Sequence, residues 1–454
     1  MNETSKGVAK AILNRAATVF KLIGVALLVL LLLIPLHMIR STLKERLGRR
    51  NEAVAEITST WGKEQTFVGP VLVIPYRQGN TANAYFLPAA LTIDGEIKPN
   101  KDLKRGIYRA IVYSGKLKFA GKFARPDFDA LSIQDKDVLW DDAVVIFAIT
   151  DLRGAKETLQ LKWGEQTIPL TPGSRLSGFP SGVQAKVPGL RNGSEVVPFE
   201  IALSFNGSTA VTFAPVGMQT SVKLTSPWPD PSFRGGFLPS KRAVTASGFE
   251  AEWQVSSYGR DFAQQWTDQT GGYALNATTA NASLFGVAFL DVVDAYRNVE
   301  RAIKYGVLFL ALVFATFFLF EILSTLRIHT FQYTLVGAAL CLFYLALLSL
   351  SEFIPFQFVY LAAALAATLM ISLYCLKVLR SGKRTLIVTG GLASIYGFLY
   401  VTLQLQDYSL LAGTAGLFLM LAVIMYVTRN IDWYARDRTH AATATPPPLP
   451  ETPS

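Results

Sequence analysis

Cysteine and histidine are nearly missing: the 454 residues hold two of the first and three of the second. Cys341 and Cys375 lie in long apolar runs, and the histidines are His37, His329 and His440. The polar stretch from 39 to 304 therefore contains neither type. It can form no disulfide, hold no zinc through the usual ligands, and run neither a Ser-His-Asp triad nor a cysteine nucleophile. Paired carboxylates, or a Ser with a Lys, remain chemically open there, although no spacing points to either. Ionisable side chains are missing from the central thirds of the last five apolar runs, where the polar groups are residues such as Thr316, Tyr344, Thr368, Tyr396 and Thr414. Proton-coupled carriers and pumps usually place an ionisable group near the bilayer midplane, so this absence argues against that class. There is no Gly-rich phosphate loop and no nucleic-acid motif.

What is present is apolar length. Half of the chain is hydrophobic, and six runs are long enough to cross a hydrocarbon core as helices: roughly 19–38, 305–325, 331–351, 355–376, 385–405 and 408–428. The first run is too long for a secretory h-region and is followed by no small-x-small cleavage site, so it reads as an uncleaved anchor. The expected fold class is a membrane protein with six transmembrane α-helices, one plus five, and a large antiparallel β-rich extracytoplasmic domain inserted between the first and second. Its domains are a cytoplasmic tail (1–18), transmembrane helix 1 (19–38), a periplasmic β-rich domain with helical stalks (39–304), a five-helix bundle (305–428) and a cytoplasmic Pro-rich tail (429–454).

Charge orients the chain. With the N-terminus cytoplasmic, the inside segments hold Lys6, Lys10, Arg15 and Lys21, then Arg327, then Lys377, Arg380, Lys383 and Arg384, then Arg429, Arg436 and Arg438. The short outside connections near Glu352 and Asp407 hold no Lys or Arg. This is the positive-inside pattern, and it predicts cytoplasmic termini with the large domain outside the cytoplasmic membrane. The net charge of +10 reflects these anchoring residues and a basic juxtamembrane cluster that favours anionic lipid.

In the polar stretch, Ile201–Phe213 alternates around Asn206-Gly207, which predicts a type I′ hairpin. Ile93–Ile97 and Ile111–Phe119 alternate similarly, with lysines on one face and Leu117, Phe119 and Phe123 on the other. A Gly, Pro and Ser-rich interval from Thr171 to Pro198 suggests a division into two β-rich lobes, with long loops within one sandwich as the alternative. Helical periodicity at both junctions predicts stalks; basic residues on the first and Asp291, Asp294 and Glu300 on the second suggest that they lie side by side, with Arg46 and Glu300 as the test pair, and solvated charges on two independent helices are the alternative. The pairs Gly390/Ser394 and Ala393/Gly397 give small faces suited to close packing within the bundle, with dimerisation as the alternative.

Two acids and three aromatics stand out as candidate positions. Glu321 ends an apolar run near the cytoplasmic headgroups, with Arg327 and His329 as candidate partners, and Glu352 sits at the outer edge of the third span. Ser226–Pro239 holds four prolines beyond its first residue, which predicts a rigid loop presenting Trp228, Phe233 and Phe237 either to the domain core or to a recognition surface. No catalytic, cofactor-binding or metal-ligating residue is expected.

Several ordered blocks carry a resemblance. The run Trp228-Pro-Asp-Pro-Ser-Phe233 through Phe237-Leu-Pro239 and Gly248-Phe249 to Trp253 resembles the signature of the CreD inner-membrane proteins. So do Val68-Gly-Pro-Val-Leu-Val-Ile-Pro75, Arg105-Gly-Ile-Tyr108, Gln332-Tyr-Thr-Leu-Val-Gly337 through Ser349 to Glu352, and Arg429-Asn-Ile-Asp-Trp-Tyr434. The resemblance implies a Gram-negative inner membrane protein under a two-component system, linked to cell-envelope integrity, tolerance to E-type colicins and β-lactam response. It supplies no catalytic or ligand residues. Together these readings predict a non-enzymatic protein that binds membrane lipids or other envelope proteins, with no nucleic-acid partner and no cofactor. The alternatives are a transporter or channel for a lipid-like or small amphipathic substrate, and a carboxylate-based envelope enzyme.

Overall fold

The computed structural model of the protein describes residues 3–100, 103–155, 157–188, 191, 195–269, 273–289, 295–324, 329–405 and 408–429. It divides into two compact units, Arg49–Val293, and Met1–Gly48 together with Asp294–Ser454. The helices are α1 (Glu3–Trp61), α2 (Ala277–Ser283), α3 (Ala295–Ser324), α4 (Thr330–Leu350), α5 (Phe356–Leu379), α6 (Gly382–Gln404) and α7 (Ser409–Thr428). Among the described residues, α1, α3, α4, α5 and α6 are long and apolar enough to cross a membrane. The sixth expected span coincides with α7, a 20-residue helix whose apolar stretch runs Leu411–Val423.

The Arg49–Val293 unit is two sheets sharing one core. Nine strands form the first, with Gln65–Gln78 near its centre between Val144–Ile149 and Ala210–Phe213. Eight form the second, running from Lys241–Thr245 at one edge through Ala90–Asn100 and Val112–Ala124 to Gln166–Pro169. Most neighbours are antiparallel, while Gln65–Gln78 with Ala210–Phe213 and Gln219–Ser226 with Ala90–Asn100 run parallel. Inward alternation fits the strand pleat: in Val112–Ala124, Leu117, Phe119 and Phe123 are buried while Lys116, Lys118 and Lys122 are exposed. Phe67 joins the two layers, its ring centroid lying 5.7 Å from Phe119 and 5.1 Å from Phe205 on the opposite sheet, and 5.8 Å from Phe213 on its own.

Three expectations are corrected here. Asn206-Gly207 makes no hairpin, because Val196–Ser208 is one unbroken strand paired with Val112–Ala124 as far as Ser208↔Val112. Gly207 is needed for a close approach instead, since a Cβ there would lie 2.5 Å from the Tyr113 ring. The chain corners at Thr209, whose φ is 63°, and Ala210–Phe213 then joins the other sheet. Nor does the interval from Thr171 to Pro198 separate two lobes: it contributes Thr171–Pro172 and Gly182–Lys186 to the nine-stranded sheet, and a single hydrophobic cluster draws residues from both sheets. Finally, Pro231–Gly235 is an edge strand and not a loop, pairing antiparallel with Phe285–Phe289. Proline is tolerated there because an edge strand has one side free of ladder bonds and Pro231 is its first residue.

Asp151 fastens the segment after α1 to this unit. Its carboxylate accepts from the backbone N–H of Lys63 at 3.2 Å and Arg153 at 3.1 Å, and from the Arg153 guanidinium at 2.9 Å. The Arg153 hydrogen bonds hold its carboxyl below the ordinary value of 3.8. A lowered folded value means that the contribution is fully present above the ordinary value and is lost as pH falls through the lower one. Asp151→Asn should cost about 1–2 kcal/mol at neutral pH, discounted because Arg153 is exposed. The variant should lose less stability on acidification than the parent, as read by denaturation at matched pH values.

In the other unit, α1 packs on α3 and α4: Leu36 reaches Gly306, and Leu32 meets Gly337. Helices α3 to α6 contact one another in sequence, with α3 also against α6 and α7 against α6. The small residues of α6 do not serve this packing. Gly390, Ala393, Ser394 and Gly397 are exposed, and a Cβ on Gly390 or Gly397 would find nothing within 4 Å. Helix α6 turns Val388, Leu392, Tyr396 and Leu399 inward instead, at helical spacing and with more apolar area to bury.

Candidate functional site

The two acids singled out in the sequence lie at opposite ends of the α3–α4 pair. Glu321 sits one turn before the end of α3, half-buried, and accepts from the Tyr333 hydroxyl at 3.0 Å. Tyr333 is itself packed against Phe314 and Phe317, with centroids at 5.7 Å and 6.2 Å. Arg327 lies outside the described residues. His329 caps α4, its Nδ1 accepting from Phe331 N–H at 3.2 Å while its own N–H donates to Gln332 at 3.0 Å; this is the capping-box use of such a residue.

Glu352 gathers three elements. It follows α4, with its side chain 8% exposed, and it accepts from the Tyr296 hydroxyl of α3 at 2.9 Å and faces Arg46 of α1 at 3.6 Å. Arg46 thus meets Glu352, while Glu300 pairs with Lys304 on its own helix at 3.1 Å. Nineteen residues separate Tyr333 from Glu352, about 29 Å along a helix, so the two carboxylates do not share a site.

Between them the bundle is filled with aromatic rings. Tyr396 lies 4.8 Å from both Phe309 and Phe343, and Phe343 lies 5.0 Å from Tyr344 and 5.5 Å from Tyr360. The Tyr360 hydroxyl donates to the Tyr396 carbonyl at 2.7 Å. Phe343, Tyr344 and Tyr396 are all buried, so these rings close the middle of the bundle off from its surface. On the membrane-facing side, α5 and α6 leave a groove of about 500 Å³.

The three aromatics of the Pro-rich segment serve the domain core. Trp228 is 5% exposed and donates through Nε1 to the Asp230 carbonyl at 3.0 Å. Phe233 packs against Phe249 and Trp253, and Phe237 against Phe285, at 5.6–5.9 Å. Among the apolar side chains of this unit that do face out are Tyr258 at 97% exposure, Leu238 at 69% and Met218 at 48%. The segments that carry them run close together: Ser257 N–H bonds the Met218 carbonyl at 2.9 Å, and Gly259 abuts the Phe237 ring that precedes Leu238.

On the outer face of the eight-stranded sheet, charge alternates across the strands as Lys241, Glu252, Lys223, Asp94 and Lys118 in successive register. Glu200 bridges Lys162 at 2.8 Å and Lys118 at 2.9 Å, and both hydrogen bonds hold its carboxyl below the ordinary range. A depression of about 480 Å³ here includes Asp94, Glu96 and Glu157 among lysines. Among the described residues, no group of three or more His, Cys, Asp or Glu is placed to hold a metal ion.

The family model for the inner membrane protein CreD matches residues 17–434. The chain belongs to the CreD family. It is 32% identical over 425 residues to the inner membrane protein CreD of Escherichia coli strain K12, across 90% of this chain and 92% of that protein. The likeness to two solved structures is slight. A putative nutrient binding protein from Legionella pneumophila is 8% identical, with 54% of this chain and 80% of that one covered at a TM-score of 0.26. An M1 zinc metallopeptidase from Deinococcus radiodurans is 8% identical over 37% and 38%, at a TM-score of 0.20. Neither carries an argument about this CreD-family chain.

Two features of this CreD-family protein escaped the sequence. Arg260 is 8% exposed and donates to the carbonyls of Pro215 at 2.7 Å, Gly217 at 3.1 Å and Phe262 at 3.2 Å. A lone arginine in a Gly and Ser-rich turn gives no hint of burial. The exposed patch was equally hidden, because Phe237 and Leu238 are chemically alike and only the fold sends one in and the other out.

Proposed function

We propose that this inner membrane protein supports cell-envelope integrity, including its response to envelope stress and β-lactams, by binding other envelope components. In this reading both termini are cytoplasmic and residues 49–293 form the periplasmic binding body. The closed aromatic core of the bundle is the observation that carries it. A charge crossing hydrocarbon needs a polar or hydrated station near the midplane, and the rings around Phe343 and Tyr396 fill that place. The Lys and Arg asymmetry of the short connections supports the orientation.

Transport is disfavoured by the same packing, and by the position of Glu321, which lies at a helix end in a tyrosine hydrogen bond. An envelope hydrolase built on carboxylates would need one acid held protonated in a cleft. At Glu200 the neighbouring lysines act in the opposite direction, and Asp94 and Glu96 are exposed on an open face.

The patch of Met218, Leu238 and Tyr258 is the surface on which a protein partner would dock. With a photo-crosslinking residue at Met218 in intact cells, discrete adducts are expected. Changing Leu238 and Tyr258 together to Asp should remove them at unchanged abundance, because both side chains are exposed. Adducts that persist in the double variant, or a complete lack of discrete adducts under envelope stress, would count against this reading.

A further inference from the structure

The groove between α5 and α6 is a concave apolar surface of about 500 Å³, within the usual range of about 300–1,000 Å³ for ligand sites. It exists because the facing side chains are small. Ala364 on α5 and Ala393 and Gly397 on α6 line it, and nothing within the chain approaches the place of a Cβ on Gly397. Its walls are Leu361 and Leu365, 58% and 61% exposed.

Length and polarity identify the occupant. Along α5 the groove runs from Gln357 to Thr368, eleven residues or about 16 Å, close to half of a hydrocarbon core of about 30 Å. One lipid leaflet has that depth. A helix from a second copy would instead lie along the whole of α6. Apart from Thr368 at the far end, the side-chain amide and the free phenol that could meet a head group, Gln357 and Tyr400, lie at the end capped by Pro355, where interfacial aromatics belong. Of the other two phenols of the lining, Tyr360 is spent on the Tyr396 carbonyl and the hydroxyl of Tyr396 is buried, out of reach of a head group. Ala393 and Gly397, two of the exposed small residues of α6 that the bundle does not use, are thereby given a purpose.

We propose that this groove holds one acyl chain of a membrane phospholipid, drawn from the leaflet at the Pro355 end, with its head group at Gln357 and Tyr400. The site goes beyond the binding reading of residues 49–293 and does not depend on it. The full chain would be placed in nanodiscs of phosphatidylethanolamine and phosphatidylglycerol containing a phosphatidylethanolamine with a diazirine in its tail, photolysed, and mapped by peptide mass spectrometry. Labelling at Leu361, Ala364 and Leu365 should exceed that at Leu411 and Leu419, which are equally exposed on α7 at 67% and 69%, by about tenfold, an ordinary preference of about 1.4 kcal/mol. Gly397→Leu, which has open space for its side chain, should bring the groove down to the α7 level without changing the melting profile. Equal labelling of α5 and α7 in the parent would mean ordinary boundary lipid and overturn the proposal. So would a label that survives Gly397→Leu, or an unlabelled groove together with α6-to-α6 disulfides formed by Ala393→Cys.

Discussion

Phe67→Ala lowers the stability of the Arg49–Val293 unit by about 3–5 kcal/mol, the cost of a cavity where a buried phenylalanine stood. The size follows from its position. Phe67 is 1% exposed and its ring meets those of Phe119, Phe147, Phe205 and Phe213, so its loss removes contacts to both sheets at once. Hydrogen exchange on the full chain should therefore show protection falling together in Val144–Ile149 of one sheet and Val112–Ala124 of the other. Two independent lobes would respond separately, with one retaining its protection.

Arg260→Met should cost about 3–5 kcal/mol in the same unit, because it leaves several buried carbonyls without a donor while keeping the apolar stem. Burial pushes the Arg260 guanidinium down to about 10, which leaves it charged at neutral pH. Its three carbonyl acceptors and the Gln264 side chain, at 2.5 Å, satisfy that charge without a carboxylate. Gln264 in turn donates to the carbonyls of Leu87 and Pro88 at 2.8 Å and 3.0 Å, so the network ties the loop after Gly217 to the strand end at Phe86. Arg260→Lys should recover little of the loss, since an ammonium cannot reproduce the planar fork. Chemical denaturation of the full chain, followed through the tryptophans of the unit, reads both variants. A cost below about 1 kcal/mol, the level of ordinary surface substitutions, would mean that the network is dispensable.

The membrane plan was legible because it is written in long, one-dimensional signals. A run of twenty apolar residues needs no partner to be recognised, and the same holds for the alternation of Leu117, Phe119 and Phe123 with lysines. What failed depended on contacts distant in sequence. Asn206-Gly207 satisfies a local hairpin rule, yet the strand runs on because Tyr113 needs the space that Gly207 leaves, and no local rule encodes that neighbour. Pro231 marks an edge strand only once Phe285–Phe289 is known to lie beside it. The candidate positions divide in the same way. Glu321 and Glu352 were visible as acids in apolar surroundings, whereas their phenol partners, Tyr333 and Tyr296, became apparent only when the helices were packed. Trp228, Phe233 and Phe237 were visible as aromatics, and the fold assigns them to the core. The outward patch of Met218, Leu238 and Tyr258 could not be read at all, since its members are 20 and 40 residues apart.

Hydroxyl-radical footprinting of the intact protein in lipid nanodiscs tests the central claim most directly, because oxidation reports water in contact with each ring. Tyr344, Tyr396 and Phe343 should remain unmodified while the exposed Tyr258 and Tyr408 are oxidised. Oxidation of Tyr344 or Phe343 at a rate comparable to that of Tyr408 would place water across the bundle and contradict a protein that works by binding alone.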